Sequence, residues 1–360
     1  MKRVFISDCE GPVSKNDIAF EVTSHCIPNG DKLFTVISRY DDVLADVLKR
    51  PRYKAGDTLK LVLPFLKAYD ITDHKIREFS AQNLVLIANV KETLNHVRNI
   101  ADAFIVSTSY EHYIRALCKT LDFPFENTYC TRLDIDKYSI TKKEEAKLKE
   151  IAKQIVAIPI IEIPPEAKGI RDFSEREKKT IRRLDEIFWK EIASMKSGRI
   201  LTEINPLGGS EKAEAVKDAV RRTGATLADV MYVGDSITDV EAFKLVKDSG
   251  GLAVSFNGNQ YAIRNAEIAV LCENSIVTAT IADVFSRSGK KQTLSLIERW
   301  NREALSKSPV NQGLLTRLFA SHPKELPKVK IITDQNMEIL ARESSLFRKE
   351  VRGEAIGRLG

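Results

Sequence analysis

Four carboxylates, one ammonium and two hydroxyls stand out in this 360-residue chain because of where they fall relative to short apolar runs. They are Asp8 and Glu10, Ser107 and Thr108, Lys212, and Asp235 with Asp239. Gathered in one place, the four carboxylates would repel one another. A hard divalent cation such as Mg2+ relieves that conflict, since it takes oxygen ligands and keeps waters in its shell. Such a cation beside a lysine and a hydroxyl suits a substrate phosphate. It clamps phosphoryl oxygens while a carboxylate attacks in line.

These residues meet only if the elements between them carry them to one rim. The apolar runs 3–7, 103–107, 230–233, 252–256 and 267–271 read as short buried strands. Helical patterns occupy 111–121 and 211–223, so strands alternate with helices as in a doubly wound, Rossmann-like parallel sheet. Ligands of such sheets gather at the carboxyl ends of the strands. Asp8 and Glu10 follow the first strand, Ser107 and Thr108 the second, and Asp235 and Asp239 the third. Lys212 precedes Asp235 by 23 residues, enough for one helix and one strand.

The α/β core is expected over residues 1–13 and 97–285. Residues 14–96 carry helical spacing, as in Val43, Leu44, Val47 and Leu48, and read as a separate helical module. An insertion spans about 131–200, with a hairpin over 131–141 and charged helices over 142–156 and 175–195, punctuated by Pro159, Pro164 and Pro165. The last segment, 286–360, reads as helices broken by Pro309, Pro323 and Pro327.

The motifs resemble those of the haloacid-dehalogenase superfamily of phosphohydrolases, in its phosphoserine-phosphatase-like branch. They are Asp8-Cys9-Glu10-Gly11-Pro12-Val13, Phe104-Ile105-Val106-Ser107, Lys212, and Gly234-Asp235-Ser236-Ile237-Thr238-Asp239. The resemblance implies an aspartyl-phosphate formed on Asp8 and a general acid/base at Glu10. It further implies that Ser107, with Thr108 beside it, and Lys212 bind the phosphoryl group. Mg2+ would be held by Asp8, Asp235, Asp239 and the backbone carbonyl of Glu10. The module at 14–96 stands where the family places a cap that excludes water and chooses the leaving group. Arg39, Arg50, Arg52 and Lys54 are its cations able to meet an anionic substrate. Two positions depart from the family pattern, with Glu10 in place of Asp and Pro12 in place of Thr. The whole pattern also resembles archaeal proteins grouped as a subunit with an energy-converting hydrogenase.

The leading expectation is a Mg2+-dependent phosphomonoester hydrolase acting on a small phosphorylated metabolite. The alternatives are a catalytically weak scaffold subunit and a phosphoryl transferase. Hydrophobic residues make up 43% and charged residues 29%, which excludes disorder, and 17 Gly with 12 Pro exclude low-complexity chains. Five cysteines without a Cys-x-x-Cys pair give no disulfide framework or zinc knuckle, so a cytoplasmic, reducing location is expected. Lys2 and Arg3 precede an apolar run too short for a signal peptide, and no window reaches the length of a membrane span. The net charge of +6 is local, because residues 287–360 hold 15 Lys/Arg against 8 Asp/Glu. A nucleic-acid partner is therefore not expected, while the basic C-terminal segment could dock a protein.

Overall fold

The computed structural model describes residues 3–164 and 166–359. Lys2, Pro165 and Gly360, named above, lie outside the described residues. Short apolar runs become β1 (Val4–Ser7), β2 (Asp102–Tyr110), β4 (Val230–Gly234), β5 (Leu252–Phe256) and β6 (Ile268–Leu271), with β3 (Thr128–Thr131) and β7 (Lys328–Ile331) at the two edges. They form one sheet in the order β3-β2-β1-β4-β5-β6-β7, parallel except for β7, which runs antiparallel on β6. The structure is thus the doubly wound α/β architecture read from the sequence.

The sheet is buried on both faces, as parallel sheets require. Val4 and Ile6 of β1 pack on one side with Val216, Ala219 and Phe243 from the helices Ser210–Thr223 and Val240–Asp248. Phe5 points the other way, into the larger core shared with the helices between β1 and β2. Strand β1 is central, and Ser7 lies opposite Ile105 of β2 and Val233 of β4. The ends of β1 and β4 are therefore level, whereas β2 runs on to Tyr110, so Ser107 and Thr108 lie within that strand rather than after it. The order of the strands reverses between β1 and β4. That reversal opens the crevice where ligands bind in such sheets.

The helices between β1 and β2 include Ile18–Cys26, Gly30–Asp42, Thr58–Ala68, Asp73–Gln82 and Val90–Ile100. The insertion packs on this layer rather than standing apart from it. Its helices Lys142–Ala157 and Glu175–Glu186 start at capping boxes, Thr141 with Glu144 and Ser174 with Glu177. Past the second helix, Phe188 stacks on Tyr40 and meets Phe65 edge-on, while Trp189 Nε1 donates to the Tyr40 hydroxyl at 2.9 Å.

Two local expectations change. Residues 132–141 form a loop rather than a hairpin, because only β3 pairs there, parallel to β2. The C-terminal segment is not wholly helical, since Lys328–Ile331 adds strand β7 to the sheet. The helical stretch Ile276–Glu298 is broken at Gly289, whose φ of 77° only glycine adopts readily.

Candidate functional site

Asp8 is set by the end of β1, where its amide donates to Val233 O at 2.8 Å and its Oδ1 accepts the Cys9 amide at 2.6 Å. Lys212 enters from the helix Ser210–Thr223 and is fully buried. Its ammonium donates to Asp8 Oδ2 at 2.6 Å and to Asp239 Oδ1 at 2.7 Å. Asp239 is saturated. Oδ1 also accepts the Tyr232 hydroxyl at 2.7 Å, and Oδ2 accepts the amides of Asp235 and Ser236 at 2.9 and 3.0 Å. Gly234 is required just before this turn, because a Cβ there would collide with the Asp239 carboxylate.

Asp235 projects from the end of β4 toward the loop after β1. Gly11, at φ 111°, passes so close that a Cβ would collide with the Asp235 carboxylate. One oxygen each from Asp8, Asp235 and Asp239 lies within 4.8 Å of the others. Glu10 lies half-buried nearby, and its Oε1 accepts the Ile18 amide at 2.8 Å.

The electrostatics divide these acids. Burial pushes Asp8 up to about 7, against the pull of Lys212 and with the push of Asp239 and Asp235. Burial and the charge of Asp17 push Glu10 well above the ordinary carboxylate range. Burial also opposes ionisation of Asp239, yet Lys212 and the donated hydrogen bonds hold it below that range. The oxygens of Asp8, Asp235 and Asp239 are hard donors gathered within 4.8 Å of one another, a set that fits a cation such as Mg2+.

A small cavity opens beside Asp8. Its sheet-side wall includes Glu10, Thr108, Asp235 and Thr238, and its helical wall includes Phe34, Ser38, Asp41 and Asp42. Thr108 Oγ1 is buried without a partner, whereas the Ser107 hydroxyl accepts the Ser109 amide at 3.1 Å and does not line the cavity. Asp8, Lys212, Asp235 and Asp239 therefore converge, Glu10 and Thr108 face the same space, and Ser107 sits one step aside.

The cations of the helical side that could have met an anionic substrate do not line this cavity. Arg39 pairs with Asp42 at 3.0 Å, Arg50 with Asp185 at 2.6 Å, and Lys54 with Asp57 and Glu211 at 3.4 Å, while Arg52 is exposed. The cavity's guanidiniums come instead from the far end of the chain. Arg348 and Arg352 of the helix Met337–Arg352 are buried, and both donate to Asp235 Oδ2, Arg352 at 3.0 Å. Sequence reasoning missed this pair, as it missed Asp17, Asp41, Asp42 and Tyr232. The available signal was two arginines four residues apart on a helix that otherwise buries Leu340, Ala341, Ser344 and Val351.

A family model described as haloacid dehalogenase-like hydrolase matches residues 71–283. That span contains Ser107, Lys212, Asp235 and Asp239, whereas Asp8 and Glu10 precede it. A solved gene product of Archaeoglobus fulgidus superposes with a TM-score of 0.80 at 23% identity, covering 100% of this chain and 99% of that one, so the two share a fold. Two phosphoserine phosphatase structures are more distant. The apo form gives a TM-score of 0.46 at 13% identity, covering 76% of this chain and 96% of its own. A phospho-aspartyl intermediate analogue gives 0.45 at 14%, covering 74% and 92%. No curated protein matches the chain.

Proposed function

Because the chain belongs to the haloacid dehalogenase-like hydrolases, we propose that it hydrolyses the phosphate monoester of a small metabolite through Asp8. The carrying observation is Asp8 itself, a buried carboxylate gripped by Lys212, level with Asp235 and open to a cavity shared with Glu10 and Thr108. Asp8 attacks phosphorus, and the ester oxygen departs with the proton of Glu10, whose burial favours the protonated form. Glu10, now a carboxylate, takes a proton from water. That water attacks the aspartyl-phosphate, releasing phosphate and restoring Asp8. Lys212 orients Asp8 and offsets negative charge that builds during transfer. The unpartnered Thr108 hydroxyl is placed to donate to a phosphoryl oxygen, with the Ser107 hydroxyl accepting the Ser109 amide within β2.

Asp8, Asp235 and the main chain at Glu10 would hold Mg2+. Asp239, expected from the sequence as a further ligand and close enough to be one, has both oxygens engaged and would instead brace Lys212 and the loop after β4. Bound there, the cation would neutralise phosphoryl charge and draw the Asp8 carboxyl toward its ionised form. Five free cysteines, four of them buried, support a reducing, cytoplasmic setting. The test is hydrolysis of p-nitrophenyl phosphate with and without Mg2+. Turnover that needs the metal and is lost in Asp8→Asn supports the proposal, and metal-independent turnover retained by Asp8→Asn contradicts it.

A second reading is a scaffold subunit, as in a hydrogenase-associated complex. It rests on the two guanidiniums bound to Asp235 and on the departures at Glu10 and Pro12. It predicts no Mg2+-dependent turnover across a broad phosphate-ester panel, with Arg348 and Arg352 present or replaced.

A further inference from the structure

One oxygen of Asp235, a carboxylate of the proposed metal site, is already engaged. Asp235 Oδ2 accepts a hydrogen bond from both Arg348 and Arg352, whose side chains are each 3% exposed. Arg348 Nη1 also reaches Asp235 O at 3.3 Å, and its Nε is buried without a partner. Arg352 is further tied to the loop after β1, donating to Lys15 O at 2.9 Å and to Asn16 O. Ser344, one turn earlier on the same face, donates to Gly258 O at 2.6 Å. One helix face, 344–348–352, is thus seated on the rim of the site.

Two guanidiniums and a dication cannot share one buried carboxylate without strong mutual repulsion. Apart from these polar contacts, the apolar anchorage of the helix is divided between two clusters. Leu340 and Ala341 pack with Ile263, Ala269 and Leu271 in a cluster separate from the main core, to which this helix contributes Val351 and the half-buried Phe347. Its outer face carries Ile339 and Leu346, 53% and 62% exposed, so no further layer covers it there.

We infer that the helix Met337–Arg352 is an autoinhibitory plug, in which Arg348 and Arg352 hold Asp235 against the metal and release it when the metal binds. The inference rests on the proposed metal site. Coupling of this kind is reciprocal: the factor by which the seated helix weakens metal binding equals the factor by which bound metal weakens helix seating.

The experiment measures Mn2+ affinity of the full chain by electron paramagnetic resonance, for wild type and the double variant Arg348→Gln, Arg352→Gln. The variant is expected to bind Mn2+ about tenfold more tightly or better. Amide hydrogen exchange of wild type supplies a reading that does not depend on the variant folding. Exchange across 337–352 is expected to speed up as Mn2+ saturates. Equal or weaker affinity in a folded variant, or unchanged or slower exchange in wild type, overturns the plug alone. Absence of Mn2+ binding by both proteins overturns the metal site and the plug together.

Discussion

Lys212 sits between two buried carboxylates and is the hinge of the site's charge balance. Replacing it by Met leaves Asp8 and Asp239 facing each other in the interior without a cation. Breaking a buried pair in this way costs about 3–5 kcal/mol. Chemical denaturation of Lys212→Met is expected to register that loss, and a change below about 1 kcal/mol would mean Asp8 is not held as described. Asp41 gives a second residue-scale test. Burial, then the charge of Asp57, pushes it up to about 7. Its unfolded value lies near 3.9. The folded chain therefore binds the extra proton between those values, and stability falls as pH rises through that window. Asp41→Asn keeps an acceptor for the Gly56 amide, which lies 3.0 Å from Asp41 Oδ2. The gain in Tm over wild type should grow from about pH 5 to about pH 8, and a constant difference would contradict the shift.

At the scale of elements, the helical layer over the site depends on the insertion. Phe188 lies between Tyr40 and Phe65 and is fully buried. Phe188→Ala should cost about 3–5 kcal/mol in urea unfolding, because the cavity it leaves lies at the contact between the two modules. A loss below about 1 kcal/mol would show that the insertion does not brace the layer. The strands that position the site were legible because they are short, apolar and followed by polar turns. β7 was not: Lys328-Val-Lys-Ile exposes both lysines at an edge and follows Pro327, so its run is only half apolar. β3, Thr-Tyr-Cys-Thr, gave equally little signal. Asp8, Lys212, Asp235 and Asp239 were readable from strand ends and spacing. The two arginines on Asp235 were not, because nothing local links residues 348 and 352 to residue 235. The cations between β1 and β2, able by charge to meet an anionic substrate, are engaged elsewhere: Arg39 and Lys54 with acidic partners three residues away, and Arg50 with Asp185, far along the chain.

For the molecule as a whole, the basic C-terminal segment is part of the fold. Leu296, Ile297, Leu305, Leu314, Leu315 and Leu318 are buried in the main core, and β7 completes the sheet edge. A chain ending after Ser288 should fail to unfold cooperatively by circular dichroism, and a cooperative transition would show the segment to be dispensable. Among the described residues, no helix is long and apolar enough to cross a membrane. The proposed hydrolysis rests on the chemistry of a single oxygen at Asp8. Its decisive test is acid quenching during turnover of p-nitrophenyl phosphate with Mg2+, followed by peptide mass spectrometry. A phosphoryl group is expected on the peptide containing Asp8, absent in Asp8→Asn. A phosphorylated peptide elsewhere, or unimpaired turnover by Asp8→Asn, would contradict it.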